Sequence, residues 1–374
     1  MFLQKVVHDF AISPFLKKMK KREFDYYHNL WLTHYNEAGL QSNLVDIYME
    51  YVDMLLKQSM PVIFDYDHLC LLFGVEKDYL RSVIHSPESH YRHFSIRKRS
   101  GGLRNITAPY YTLKLIQRWI LDNILANVKI HRCAHGFRAE KSIISNVQMH
   151  VDQKELLKID LKDFFPSIGI DRVIRVFQEI GYTKEVSFYL ARICCYEEAL
   201  PQGAPTSPAL SNIISRHMDN RLYWMSRKLG LRYTRYADDM GLSGEHIDTA
   251  IIRYVSSIIT ECGFNLNQEK IRLYSENGNK ILTGISLAGG KMRLPRKTRR
   301  LWGQEFYYIT KYGLESHIIK NGNRNLHYYQ TLRGRADFWR MVEPDNILVR
   351  NFLDYLDSNI TKKSLGSEAC DKVK

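Results

Sequence analysis

Residues 231–243 read LRYTRYADDMGLS, and the adjacent Asp238 and Asp239 constrain this segment more than any other feature of the chain. The aromatic and apolar residues on either side favour extended strands. Neighbouring like charges repel and resist burial, so the stretch reads as strand–turn–strand around Ala237, Asp238 and Asp239. A third carboxylate, Asp160, follows the apolar run LLKI in ELLKIDLKDFFPSI (155–168), which reads as a buried strand entering a turn at Pro166. If the two strands are neighbours, three carboxylates meet at one sheet edge. That much negative charge is costly unless cations neutralise it. Hard divalent ions prefer oxygen ligands and share them with substrate phosphates. Two such ions, about 3.5–4 Å apart, stabilise the attacking and leaving oxygens of phosphoryl transfer. Alone, DD is a solvated turn and IDL is unremarkable; the ordered companions carry the argument.

The partner is legible in the charge. Lys and Arg number 54 against 40 Asp and Glu, a formal excess of +14, which suits a polynucleotide and also an acidic membrane surface. The 374 residues allow two or three subdomains. No run of 18 uncharged apolar residues predicts a membrane span, and MFLQKVVHDFAISPFLKKMKKR does not read as a signal peptide, so a cytoplasmic protein is expected. Cys70, Cys133, Cys194, Cys195, Cys262 and Cys370 form no CxxC pair and no zinc spacing with histidine, as expected for reduced thiols.

Along the chain, residues 1–90 read as mostly helical, with a basic run KKMKKREF at 17–24 and one helical period over 66–84. YRHFSIRKRSGGLRNITAPY (91–110) reads as a hairpin with Arg97, Lys98, Arg99 and Arg104 on its tip and arms. Amphipathic helices follow at 112–128 and 171–180, a long helix from Ser207 to about 230, another at 247–262, and a strand at 281–287. KMRLPRKTRR (291–300) has six basic residues in ten, and helices rich in Tyr and Trp continue to about 358 before a polar, frayed end.

YADD, preceded by LPQGAPTSP (200–208) and earlier by KIDLKDFFPSI, resembles the ordered blocks of reverse transcriptases, with the bacterial retron type the best match. The resemblance covers about residues 91–290 and extends more weakly to 350. It implies an α+β right-hand polymerase: a helical N-terminal region (1–90), fingers and palm with an antiparallel sheet packed on helices (91–290), and a helical thumb and RNA-binding region (291–374). It implies Asp160, Asp238 and Asp239 as catalytic, metal-binding carboxylates, with the Leu161 carbonyl also on a metal, for two Mg²⁺ ions. Phe165 stands where the family keeps a bulky ring against the ribose 2′-OH. Gln202 and Gly203 match the block that cradles the nucleotide. Arg104, in the pattern RxIxxP, would grip the triphosphate with help from one of Arg97, Lys98 or Arg99. Lys270 matches a lysine that contacts the triphosphate and serves as general acid.

Leu282-Thr283-Gly284 resembles the retron V-T-G triplet, with leucine first, in the primer-gripping strand. NVQMH (146–150) resembles the N-A-x-x-H signature with Val147 in place of alanine, and its spacing puts Asn146 and His150 on one helical face. Arg296, Lys297, Arg299 and Arg300 are expected on RNA phosphates, with Arg333, Arg335 and Arg340 as further contacts. The family uses a structured noncoding RNA as template and primer, starts from an internal 2′-OH, and yields single-stranded DNA joined to RNA. Retrons are generally antiphage systems with a separately encoded effector. Competing readings are another bacterial reverse transcriptase, of intron or abortive-infection type, a catalytically silent RNA-binding scaffold, and a two-metal nuclease. The intact carboxylates argue against the scaffold, and the LPQGAP block and Phe165 against the nuclease.

Overall fold

The structure, a computed structural model, describes residues 19–98 and 101–370. Lys17 and Lys18 of the first basic run, and Arg99, lie outside the described residues.

Two helices, α1 (Lys21–Glu37) and α2 (Ser42–Lys57), pack together and bury Trp31, Val52, Leu55 and Leu56. The single helical period expected over 66–84 is instead two helices, α3 (Tyr66–Phe73) and α4 (Lys77–His85). Asp65 caps the first by accepting from the His68 N–H at 2.8 Å, and Gly74 ends it with φ +63°, a left-handed conformation that glycine adopts without penalty.

Strands β1 (Tyr91–Arg97) and β2 (Leu103–Pro109) form the expected hairpin, paired from Tyr91–Pro109 to Arg97–Leu103. Helix α5 (Tyr111–Asn123) follows, then the short α6 (Ile143–Gln148). Strand β3 (Glu155–Lys162) buries Leu156, Leu157, Ile159, Asp160 and Leu161, five of its eight residues, because it lies inside the sheet. After α7 (Ile170–Ile180) comes α8 (Lys184–Cys194), an element the sequence pattern does not single out. The long helix expected from Ser207 is interrupted at Ser215, giving α9 (Ser207–Ile214) and α10 (Arg216–Lys228).

Strands β4 (Arg232–Tyr236) and β5 (Asp239–Gly244) complete the centre of an antiparallel sheet. Beyond α11 (Thr249–Glu261), β6 (Asn265–Leu266) and β7 (Arg272–Tyr274) both pair with β3, giving the order β4-β5-β3-β6 with β7 alongside. The strand expected at 281–287 is a tight hairpin, β8 (Ile281–Leu282) and β9 (Ile285–Ala288), joined to β10 (Lys291–Arg293). Thr283 and Gly284 make its turn with φ of +44° and +81°, the double left-handed geometry that two-residue hairpins favour. Four helices end the chain: α12 (Arg296–Tyr312), α13 (Leu314–Lys320), α14 (Tyr328–Val342) and α15 (Ile347–Cys370). The last runs past residue 358 rather than ending there.

One apolar core runs from Trp31 through α5, β3 and α7 to Phe264, so the N-terminal helices share the sheet's core. A second joins Leu282, Ile285 and Leu287 to Phe306, Leu332, Trp339 and Phe352 of the C-terminal helices. The Phe306 and Phe352 rings stack there at 3.9 Å, 6° from parallel. Phe306→Ala is expected to destabilise this C-terminal unit by about 3–5 kcal/mol, by lost burial and the cavity left behind. Calorimetry should show an earlier transition, whereas Tyr307→Ala, on an exposed ring, should shift it little.

Candidate active site

The β4–β5 register pairs Tyr236 with Asp239, leaving Ala237 and Asp238 as a two-residue turn. Ala237 has φ +57°, a left-handed conformation unusual for a residue with a Cβ. The β3–β5 register sets Asp160 directly opposite Asp239, and the Leu161 N–H donates to the Asp238 carbonyl at 3.0 Å. The three carboxylates therefore reach one end of the sheet through backbone pairing alone.

Two lysines answer this charge. The Lys270 ammonium donates to Asp160 Oδ1 at 2.7 Å, and that bond raises the lysine pKa. The Lys158 ammonium stands 3.2 Å from Asp239 Oδ1 as an ion pair, but that buried oxygen accepts no hydrogen bond from the described residues. Burial, reinforced by the Asp160 and Asp239 charges, pushes the Asp238 carboxyl above its ordinary value. Burial likewise raises Asp239, against the pull of Lys158. Among the described residues, no three His, Cys, Asp or Glu side chains are grouped so as to hold an ion. The all-oxygen donor set and the orphaned Asp239 oxygen fit a hard divalent cation.

A cavity of about 650 Å³ collects Arg104, Phe165, Gln202 and Gly203. Gly203 has φ +144°, and a Cβ there would stand 2.7 Å from the Thr107 carbonyl oxygen, so only glycine lets this strap lie on β2. The Thr107 N–H donates to the Gln202 carbonyl at 3.0 Å and ties the two together. Arg97 and Lys98 are exposed on the hairpin and do not line the cavity; Lys270 lies with the carboxylates instead.

The family model described as reverse transcriptase (RNA-dependent DNA polymerase) matches residues 96–309. The chain is 33% identical over 243 residues to the retron Ec86 reverse transcriptase of Escherichia coli, covering 64% of this chain and 76% of that one. It is 35% identical over 258 residues to the retron Mx65 reverse transcriptase of Myxococcus xanthus, covering 62% and 60%. This chain belongs to the retron-type reverse transcriptases. Its enzyme class is RNA-directed DNA polymerase, its fold is the α+β reverse transcriptase fold, and membership implies dependence on divalent metal. It spans less than two thirds of the Myxococcus relative. Among the described residues, no helix is long and apolar enough to cross a membrane.

Some expected RNA contacts fall elsewhere in this reverse transcriptase. Helix α6 ends at Gln148, so His150 is not on the same helical face as Asn146. Both side chains are buried, at 1% exposure, and neither lies on the protein surface where RNA was expected to meet it. His150 places its ring nitrogens 2.6 Å from Ser243 Oγ and 2.7 Å from Thr234 Oγ1, bridging β4 and β5. Burial pushes its pKa down to about 3, so the ring stays neutral. The Asn146 amide is buried without a hydrogen-bond partner. Arg333, Arg335 and Arg340 are engaged by Asp337 and Asp357, by Glu305, and by Asp337 respectively, rather than free for phosphate. Arg296, Lys297 and Arg300 are exposed at the start of α12 with Arg299 half-buried, and none of the four is in an ion pair among the described residues.

Other site residues escape the sequence reading. Phe137 lines the cavity 6.1 Å from Phe165, and Lys114 and Arg118 of α5 add charge to it. The run AHGFR (134–138) was the available signal for Phe137. Lys158 shares a strand face with Asp160 by period-two spacing, which could have marked it.

Phe165→Ala should admit ribonucleotides, raising their incorporation relative to deoxynucleotides at least tenfold in single-nucleotide extension; unchanged sugar discrimination would remove the gate role. Asp238→Asn should abolish synthesis yet raise the melting temperature of the metal-free protein near neutral pH. The sign follows from linkage: a carboxyl whose native pKa is raised contributes stability below its unfolded value, lost as pH rises through the native one. The difference in melting temperature should therefore close below the ordinary carboxylate range.

Proposed function

We propose that this enzyme copies a structured noncoding RNA, starting from an internal 2′-OH, into single-stranded DNA that stays joined to the RNA. The observation that best supports the catalytic part is the register that opposes Asp160 to Asp239 with Asp238 in the adjoining turn. In this reading Asp160, Asp238, Asp239 and the Leu161 carbonyl hold two Mg²⁺ ions. Ions held there would supply acidification of the primer hydroxyl and charge stabilisation for the leaving pyrophosphate.

The chain's own groups do the rest. Arg104, with its planar fork of donors, grips the triphosphate, and one of Arg97, Lys98 or Arg99 assists from the hairpin. Gln202 and Gly203 bring backbone against the nucleotide, and the Phe165 ring fills the space of a ribose 2′-OH. Lys270 is held cationic by its bond to Asp160, and for it to protonate the departing pyrophosphate that bond must first be released. Thr283 and Gly284 hold the primer strand in their turn. Arg296, Lys297, Arg299 and Arg300 meet RNA phosphates, a contact independent of sequence.

By this reading, residues 91–290 are fingers and palm and 291–374 the thumb. Residues 19–90 brace the palm through the core they share with it. A role in antiphage defence with a separately encoded effector rests on the retron resemblance.

Nucleic acid co-purifying with the chain from cells tests the proposal. The expected species is a branched RNA–DNA molecule whose gel mobility increases after ribonuclease or debranching treatment. It should be absent when Asp238→Asn and Asp239→Asn are combined. Linear DNA, or none, overturns the priming mechanism.

A further inference from the structure

Beneath the Ala237-Asp238 turn lies a charge pair that none of these roles uses. The Arg235 and Asp219 side chains are wholly buried, at 0% exposure each. The guanidinium donates from Nε to Asp219 Oδ1 at 2.8 Å and from Nη2 to Oδ2 at 2.7 Å, the two-pronged geometry that fixes both groups in orientation. Tyr233 donates its hydroxyl to the same Oδ1 at 2.8 Å.

Arg235 spends its other contacts on the turn and its surroundings. Nη1 donates to the Ala237 carbonyl at 3.0 Å, and Nη2 to Asn212 Oδ1 at 3.0 Å. Asn212, on α9, donates in turn to the Gly136 carbonyl at 2.9 Å. Gly136 then returns to the turn from the other side. A Cβ on it would stand 2.6 Å from the Ala237 nitrogen and 3.2 Å from the Tyr236 carbonyl carbon. The segment before it is pinned alongside β4: the Arg235 N–H donates to the Cys133 carbonyl at 2.8 Å, and the His135 N–H to the Arg235 carbonyl at 2.7 Å.

A buried ion pair is a weak source of net stability, because desolvation offsets the attraction. A left-handed alanine is likewise unfavourable and persists only where its surroundings over-determine it. Both occur here at one turn, the one carrying Asp238. We propose that Arg235, Asp219, Asn212 and Gly136 are positioning residues that hold the Ala237-Asp238 turn in one conformation, fixing the Asp238 carboxylate beside Asp160. The proposal rests on the reading of Asp238 as a catalytic carboxylate. Arg235 anchors the turn's carbonyl side, and the bare Gly136 backbone braces its amide side.

Two variants separate positioning from stability. Gly136 does not have a positive φ, so Gly136→Ala strains the chain only through its contact with the turn. The pair Asp219→Leu with Arg235→Met replaces buried charge by apolar volume and leaves no charge unpaired. Each is measured in primer extension on an RNA template, for kcat and for the deoxynucleotide KM, beside its melting temperature. Gly136→Ala is expected to lower the melting temperature somewhat, because the turn backbone must shift, and to lose at least tenfold in kcat with KM close to wild type at temperatures where it stays folded, since misplacement by about 1 Å can cost about a hundredfold. The double variant should lose kcat at least as strongly while still unfolding cooperatively. A kcat for Gly136→Ala within twofold of wild type, or kcat losses that only track melting temperature across both variants, overturns the proposal. Asp238→Asn is the control: if it retains activity, the underlying reading fails, and if it is inactive while Gly136→Ala is active, only the positioning role fails.

Discussion

The pairing of β3 with β5 sets two carboxylates face to face across a sheet, where like charges destabilise the pair. Much of the surrounding structure can be understood as tolerating that arrangement. β3 can hold Asp160 there because the residues before it are buried hydrophobics that fix its register. A slip of one residue would turn Leu157 and Ile159 to the wrong face, so the core specifies the position of the charge. Hydrophobic burial sets the strand position of the carboxylate, and the Lys270 ammonium then pairs with it.

The same economy explains the lysines. Lys158 reaches Asp239 from two positions before Asp160 on the same strand, and Lys270 reaches Asp160 from beyond β6. Both supply positive charge without fully satisfying the site: an Asp239 oxygen remains without a hydrogen bond, and Asp238 is held above its ordinary pKa by burial. A site that retains such unpaid electrostatic strain stores affinity for cationic or proton-bearing partners, at the expense of the metal-free fold. Lys270 is also the more exposed of the two, at 58% against 23% for Lys158, which makes it the ammonium free to exchange partners.

Much of this was legible in the residues. The hairpin around Asp238, the strand carrying Asp160, and the hairpin bearing Arg104 follow from local pattern, because each strand's period and turn chemistry lie within a few residues. Long-range contacts were not. His150 reads as one helical face with Asn146, yet α6 stops at Gln148 and the ring is drawn inward to bridge Ser243 and Thr234, some ninety positions away in the chain. Gly241 makes room for it, since a Cβ there would stand 3.0 Å from His150 Nε2. Arg235 was concealed for a similar reason: an arginine in a polar-looking strand reads as solvated until Asp219, from a helix earlier in the chain, is found beneath it.

The basic excess divides in the same way. Arg333 and Arg335 reach across from α14 to Asp357 of α15 and Glu305 of α12, whereas Arg340 pairs with Asp337 within α14 itself, so all three already face carboxylates of the same helical unit. The cluster at the start of α12 has no such partners among the described residues, and it follows a strand directly, at Pro295, where the helix begins. Positive charge at a helix N-terminus opposes the macrodipole and brings the chain no local benefit. In the proposed reading, phosphates of bound nucleic acid would supply the partners this cluster lacks among the described residues. Net charge alone does not distinguish these two sets of arginines; their partners do.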